Sequence, residues 1–474
     1  MRVVFTSMCL AVAALAGCAA IPDGMPHSSP VQAATLGLAR ESASIDAQWW
    51  KSFGDPQLDR LVDTALSGNP TLDAALARVR AADSMVDVQH AAELPQVDAE
   101  GQALSQRFSN RYLIPPPYRG TVQQTGTLQT NLSWDLDLFG RQKAAVARAR
   151  SDASQARLDA DAARMTISSS VAQAYVSLVR ANRQVDVAKG FVETRRQALG
   201  YVKSRVSNQL AGQIELRTAE TLLAQAQQAQ VRAEAQREQL VHALSALVGH
   251  GADFYGNVTM PSLDLNTRPV VPDLLPGNLL GRRADLLAGQ ARIESATAGL
   301  QIARADFLPD VNLQALAGFA SIGLGGFLSS DALTYGAGAA IHIPIFEGGR
   351  LRARYRGATA ELDVALAQYR SAVLGAVRDS ADALTSIHAA DAELVQQERV
   401  VSGLRDTVRL DQVRVSTGLG SNLDAIDSGF RLLEAEQALV DLQADALESR
   451  IQLIAALGGG YVPNTPASPV ALAK

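Results

Sequence analysis

A chain of 474 residues can hold two or more ordinary domains, yet 11 Phe, 9 Tyr and 3 Trp leave little aromatic bulk for one thick core. The formal net charge of -5 is mild, and Lys and Arg form no dense patch, so a nucleic-acid partner is not expected. The six histidines are scattered and no HExxH, CxxC, GxSxG or P-loop pattern occurs, so neither catalysis nor a resident metal or cofactor is expected.

The first element is an export signal: Arg2, an apolar run from Val3 to Leu15, then small residues ending at Cys18. "LAGC" resembles the bacterial lipoprotein box. It marks 1–17 as signal peptide and Cys18 as the first mature residue, carrying N-acyl and diacylglycerol lipid. An ordinary signal with an incidental Cys fits the same residues. Cys9 falls within the removed segment, so the mature chain has no disulfide. By likeness to other lipoproteins, Ala19 after the Cys favours the outer membrane. Residues 18–44, rich in Pro, Ser and Ala, read as a lipid-anchored linker.

Beyond it the body is built twice. At an offset of 209, Gly140-Arg141 matches Gly349-Arg350, "SRVSNQL" (204–210) matches "VRVSTGL" (413–419), and Leu247-Val248-Gly249 matches Ala456-Leu457-Gly458. Val171, Leu178, Val185, Val192, Leu199 and Val206 recur every seven residues. So do Ile387, Leu394, Val401, Val408 and Val415. Proline is absent from 118–260 and from 345–462, and proline breaks long helices. The pattern predicts outgoing helices over about 141–206 and 350–415. A turn with Gly212, or with Gly418 and Gly420, leads to return helices over about 214–248 and 423–457. Shorter helices over about 70–93 and 277–306 would stack on the return helices, giving each chain four rods.

Two strands lie in each half, between the shorter and outgoing helices. The second has Leu128, Leu132, Trp134, Leu136 and Leu138 on one face, and Asn131, Ser133, Asp135 and Asp137 on the other. The third sets Val311, Leu313, Ala315, Ala317 and Phe319 against Asp310, Asn312 and Gln314. The fourth alternates from Ala337 on through Ile345. Loops of about fifteen residues join each pair. Four strands leave two open edges, which lipid tolerates even less than water does. Three chains would close twelve strands around an aqueous bore. A soluble antiparallel sheet with one wet face shows the same alternation. The fold class read here is an α+β membrane protein: a trimeric 12-stranded β-barrel, four strands per chain, continued by a long periplasmic α-helical barrel, with internal duplication.

At this point the residues resemble a family. The stretch 49–82, "LPQV" and "LPDV" at the strand starts, "LFGR" and "FEGGR" at the corners and the duplicated turn are similar to TolC-type outer-membrane factors of the NodT-like lipoprotein branch. The resemblance implies an outer-membrane exit channel of a tripartite efflux system. It would conduct drugs or other small molecules passively, as a homotrimer. Its partners would be a periplasmic adaptor, an inner-membrane pump of the resistance-nodulation-division type and membrane lipid. The rival reading is a periplasmic adaptor lipoprotein, although adaptors carry one hairpin rather than two. The layout is 45–250 and 277–458 as structural repeats, 251–276 as an equatorial segment between them, and 459–474 as a tail.

Site expectations centre on the hairpin ends. Asp424 and Asp427, at i and i+3, share a helix face. Threefold symmetry would turn them into carboxylate rings at a constriction. A helix N-terminus also favours acids without any pore. Family members carry gate aspartates at these positions, and Glu215 matches Asp424 at the 209 offset. Thr417, Gly418 and Leu419 resemble an adaptor-docking turn, while the first repeat has Asn208 to Leu210 without its glycine. Val415 and Gly420 stand where some members place a gate-locking Tyr and Arg, so the closing network is expected to differ.

Overall fold

A computed structural model describes residues 45–111, 113–272 and 279–461. The signal peptide, Cys18, the whole linker 18–44, the start of the second shorter helix and all but the first three residues of the tail lie outside the described residues. The elements are α1 (Pro56–Gly68), α2 (Pro70–Ala91), β1 (Gln96–Arg107), β2 (Val122–Leu136), α3 (Arg141–Ser207), α4 (Gln213–Leu247), α5 (Leu279–Arg282), α6 (Ala284–Ala305), β3 (Asp310–Ile322), β4 (Leu333–His342), α7 (Arg350–Ser416) and α8 (Asn422–Ala456). Adding 209 to both ends of α3 gives α7, and to both ends of α4 gives α8. Each outgoing helix has 67 residues, about 100 Å at 1.5 Å per residue. No helix of the described residues is long and apolar enough to cross a membrane.

The chain folds as two compact units. One comprises Arg78–Ala156 and Gly289–Tyr369. Its sheet has the order β1-β2-β3-β4, every pair antiparallel. Register aligns one apolar face across all four strands. Leu136 pairs with Val311, and Val311 with Ile341; Leu132 pairs with Val97 and Ala315; Leu128 pairs with Phe319, and Phe319 with Leu333. That face is open on the outer strands, with Val97 and Ile341 each 64 % accessible, and mostly half-buried along the two central strands. Asp98, Asn131, Ser133, Asp135 and Asn312 lie on the opposite face. Asn131 donates to Asp98 at 3.1 Å, and Asn312 donates to Ser133 at 3.0 Å and to Asp135.

The strand ends differ from expectation. β2 stops at Leu136, and Asp137 leaves the polar row to cap α3, accepting from the amides of Gln142 (3.1 Å) and Lys143 (2.9 Å). Leu138 likewise lies beyond the strand. β4 stops at His342, short of Ile345, because Pro344 has no N–H for a ladder. The loop from β3 to β4 spans 323–332 and is shorter than predicted, since both strands run further into it.

The second unit comprises 45–77, Arg157–Ala288 and 370–461. Its main core joins Trp49, Trp50 and Phe53 and the α1 residues Leu58, Leu61 and Val62 to Val171, Tyr175 and Leu178 of α3 and Leu447 and Ile451 of α8, with Leu263 and Leu265 from the segment between the repeats. A buried polar knot ties these pieces. Asp55 caps α1 through the amides of Gln57 and Leu58, and its other carboxylate oxygen accepts from Tyr175 (2.8 Å) and Ser262 (3.1 Å). The predicted stacking of shorter on return helices appears at two matched junctions. The Asn69 side chain donates to the Leu247 carbonyl at 2.7 Å, and Arg283 donates to the Ala456 carbonyl at 3.1 Å. Beside them Gly249 and Gly458 adopt positive φ, and a Cβ on either would fall 2.2 Å from a facing carbonyl oxygen.

The heptad residues are buried as the spacing predicts, from Val171 to Leu199 in α3 and from Ile387 to Val401 in α7. Val206, Val408 and Val415, nearest the turns, are only half-buried.

The hairpin ends as candidate functional site

Both hairpins turn the same way. Leu210 donates to the Arg205 carbonyl and Leu419 to the Arg414 carbonyl, each at 2.8 Å, closing six-residue turns of the Schellman type. The left-handed residue is Gly418 (φ 76°) in the second hairpin and Gln209 (φ 57°) in the first. The missing glycine therefore leaves the turn intact. Leu210 and Leu419 both project, 67 % and 76 % exposed. Thr417 is exposed too, and its hydroxyl donates to the Val413 and Arg414 carbonyls. At Gly420 a Cβ would lie 2.9 Å from the Arg414 Cβ, so this turn has no room for a side chain there.

The hairpins meet along an antiparallel seam of α3 against α8. It starts with polar pairs: Ser177 to Glu448 (3.1 Å), Arg180 to Asp445 (2.6 Å) and Gln184 to Asp441 (2.7 Å). Burial pushes the Glu448 carboxyl up, against the lowering influence of Arg180 and Ser177. Next, Gly190 admits Leu433, whose Cδ2 would sit 3.0 Å from a Cβ. Nearer the turns, Phe191 and Phe430 pack at 4.8 Å and the Arg195 guanidinium lies 3.9 Å over the Phe430 ring. The seam ends at a groove of about 330 Å³. Ala198, Val202, Ile214, Leu222, Leu423 and Ile426 give it apolar walls, and Arg195, Glu215 and Asp427 are its charged members.

The predicted acids occupy distinct positions. Glu215 closes a capping box, accepting from the Gly212 amide at 3.0 Å. Asp427 is exposed and pairs with Arg431 at 2.8 Å. Asp424 sits exposed in the first turn of α8, where the helix dipole favours an acid, and is not among the groove residues. One chain thus brings Glu215 and Asp427 to a common groove and leaves Asp424 apart. Sequence reasoning missed Arg195, Phe191 and Phe430. It also missed a link inside the second hairpin, where Ser428 donates to Asp411 at 2.5 Å. At the 209 offset those two match Ala219 and Val202, which pack together in an apolar cluster. Positions where the repeats disagree in polarity were the available signal.

A four-stranded sheet with one continuous apolar face, and two long hairpins related by duplication, define the class of outer-membrane channels. The comparisons agree. The family model described as outer membrane efflux protein matches residues 61–250 and again 275–459. The fusaric acid resistance protein FusA of Burkholderia cepacia is 33 % identical over 73 % of this chain and 67 % of its own length. The multidrug resistance outer membrane protein MdtP of Escherichia coli (strain K12) is 30 % identical over 97 % of both chains. Among solved structures, the outer membrane protein VceC of Vibrio cholerae superposes with a TM-score of 0.81 at 31 % identity, covering 88 % of this chain and all of that one. This chain belongs to the outer membrane efflux protein family. It is an outer-membrane efflux channel, the family is one of transport and not of enzymes, and the adaptor reading finds no support among these relatives.

Proposed function

We propose that three copies close their four-stranded sheets into one twelve-stranded bore, and that the hairpins carry the duct into the periplasm. The observation that carries this is the unfinished sheet. β1 and β4 each pair on one side only, while the apolar face runs unbroken across all four strands. In lipid, unpaired edges need partners, and further copies of the same sheet supply them. The lumen-facing row is then the polar one, which suits passive conduction of small organic molecules. Work comes from an inner-membrane pump of the resistance-nodulation-division type, through an adaptor that grips the exposed turns at Thr417–Leu419 and Asn208–Leu210. Names of relatives, a multidrug and a fusaric acid resistance protein, support small organic cargo. Cys18 carries the lipid that tethers the chain to the outer membrane. Asp424, Asp427 and Glu215 form the acidic lining of the gate at the hairpin ends. The test is purification in detergent, light scattering and planar-bilayer recording. Three chains per particle and ion conduction are expected; a single-chain particle that passes no current overturns the reading.

A further inference from the structure

Asp137 caps α3 and Glu347 precedes α7, but within the helices themselves the opening turns carry charge of the wrong sign. The first ten residues of α3, Arg141 to Arg150, hold four bases and no acid. The first seven of α7, Arg350 to Arg356, hold four arginines and no acid. A helix N-terminus disfavours cations, so helix stability does not account for them. Internal pairing accounts for only some. Arg350 pairs with Glu347, and Arg354 faces Asp306 at 3.7 Å. Among the described residues no carboxylate pairs with Lys143, Arg150, Arg352 or Arg356, all of them exposed. Lys143 and Arg352 correspond at the 209 offset, so both repeats keep a base there.

Their position supplies a reason. The apolar face of the sheet runs from the Leu128 row to the Leu136 row, about 26 Å along the strand, close to the height of a hydrocarbon band. Trp134 lies near its lower end, its indole donating to the Glu93 carbonyl at 3.0 Å. Immediately past it, Phe139 and Phe346 stand 49 % and 87 % exposed, as aromatic side chains do at a membrane interface. Lys143 and Arg352 follow four and six residues on, and Arg150 and Arg356 eleven and ten residues on. A long stem lets each base keep its charge at headgroup depth while the aromatics sit at the acyl boundary.

We propose that these corners bind anionic phospholipid headgroups of the periplasmic leaflet, with Lys143, Arg150, Arg352 and Arg356 holding the phosphates and Phe139 and Phe346 seated beside the acyl chains. Charge complementarity and continuity with the lipid-facing sheet select that occupant. The assignment rests on the sheet being lipid-inserted. That premise has its own check: the Cys18→Ser protein, exported behind a cleavable signal, must stay in carbonate-washed membranes.

The experiment is native mass spectrometry of the full detergent-purified chain, titrated with phosphatidylglycerol or phosphatidylethanolamine. Wild type is expected to bind phosphatidylglycerol at least tenfold more tightly. Lys143→Gln with Arg150→Gln, Arg352→Gln and Arg356→Gln should lose most of that preference, and Lys143→Arg with Arg150→Lys, Arg352→Lys and Arg356→Lys should keep it. A wild type without preference, or a Gln variant that retains it, overturns the proposal while leaving membrane insertion untouched. Altered ion selectivity in the Gln variant with lipid preference intact would place these bases in the bore, and would overturn it too.

Discussion

Gln209 holds a left-handed backbone where its counterpart is Gly418. A side chain at that φ costs roughly 1 kcal/mol, set against the greater unfolded freedom of glycine. Gln209→Gly should therefore tighten the first turn, slowing hydrogen exchange of the Leu210 amide by about threefold or more. Tyr175 offers the opposite case. Its hydroxyl donates to buried Asp55, and burial followed by that hydrogen bond pushes the phenol far above its ordinary value of 10.0. Tyr175→Phe should destabilise by about 1.5–3 kcal/mol, the range for a hydrogen bond to a charged partner, read as a lowered denaturation midpoint. The raised value also fixes a pH dependence. Below about pH 10 the phenol is neutral in both folded and unfolded chains, so this contribution is constant. Above it the unfolded chain loses its proton while the folded chain keeps it. Stability therefore falls as pH rises, and Tyr175→Phe should flatten that alkaline limb. None of this was legible in sequence. Asp55 and Tyr175 are 120 residues apart, and periodicity marks Tyr175 only as a residue on a long helix.

At the scale of elements, the helices were the most legible part. Proline-free spans and a heptad repeat place α3 within one residue of its observed end, because a long helix is set by local periodicity. Strand ends were less so. Asp137 continues the alternation in sequence but is taken by the amides of α3, a competition that periodicity does not register. The pairing of β2 with β3 and its register were invisible, and with them the role of Gly318. A Cβ there would lie 2.2 Å from the Leu128 carbonyl oxygen and 2.5 Å from the Gln129 Cα. Gly318→Ala should push β2 from β3 and cut the yield of membrane-inserted protein severalfold, measured after carbonate washing. Substitution of Gly336, with nothing within 4 Å of a Cβ, is the matched control and should be tolerated. The α3–α8 seam was equally hidden, since the register of partners 257 to 271 residues apart follows from packing alone.

For the whole molecule, the duplicated plan and the channel class were readable because they rest on repeats and alternation over hundreds of residues. The groove was readable only in part: Glu215 and Asp427 were singled out in sequence, while Arg195, Phe191 and Phe430 were not. If Asp424 and Asp427 line a constriction, Asp424→Ala with Asp427→Ala should raise single-channel conductance and weaken cation selectivity in planar bilayers. Unchanged selectivity would remove both from the pore. Trivalent cations added at the hairpin side should block wild type more strongly than the double variant, because paired carboxylates offer hard oxygen ligands.

The two hairpin turns share a backbone and differ just behind it. Val202 packs on Ala219 in one, and Asp411 accepts from Ser428 in the other. A ring of three chains would offer six footholds of matching outline but two alternating chemistries. A partner blind to that alternation would dock sixfold; one that senses the carboxylate would settle on every second foothold and bind as three copies.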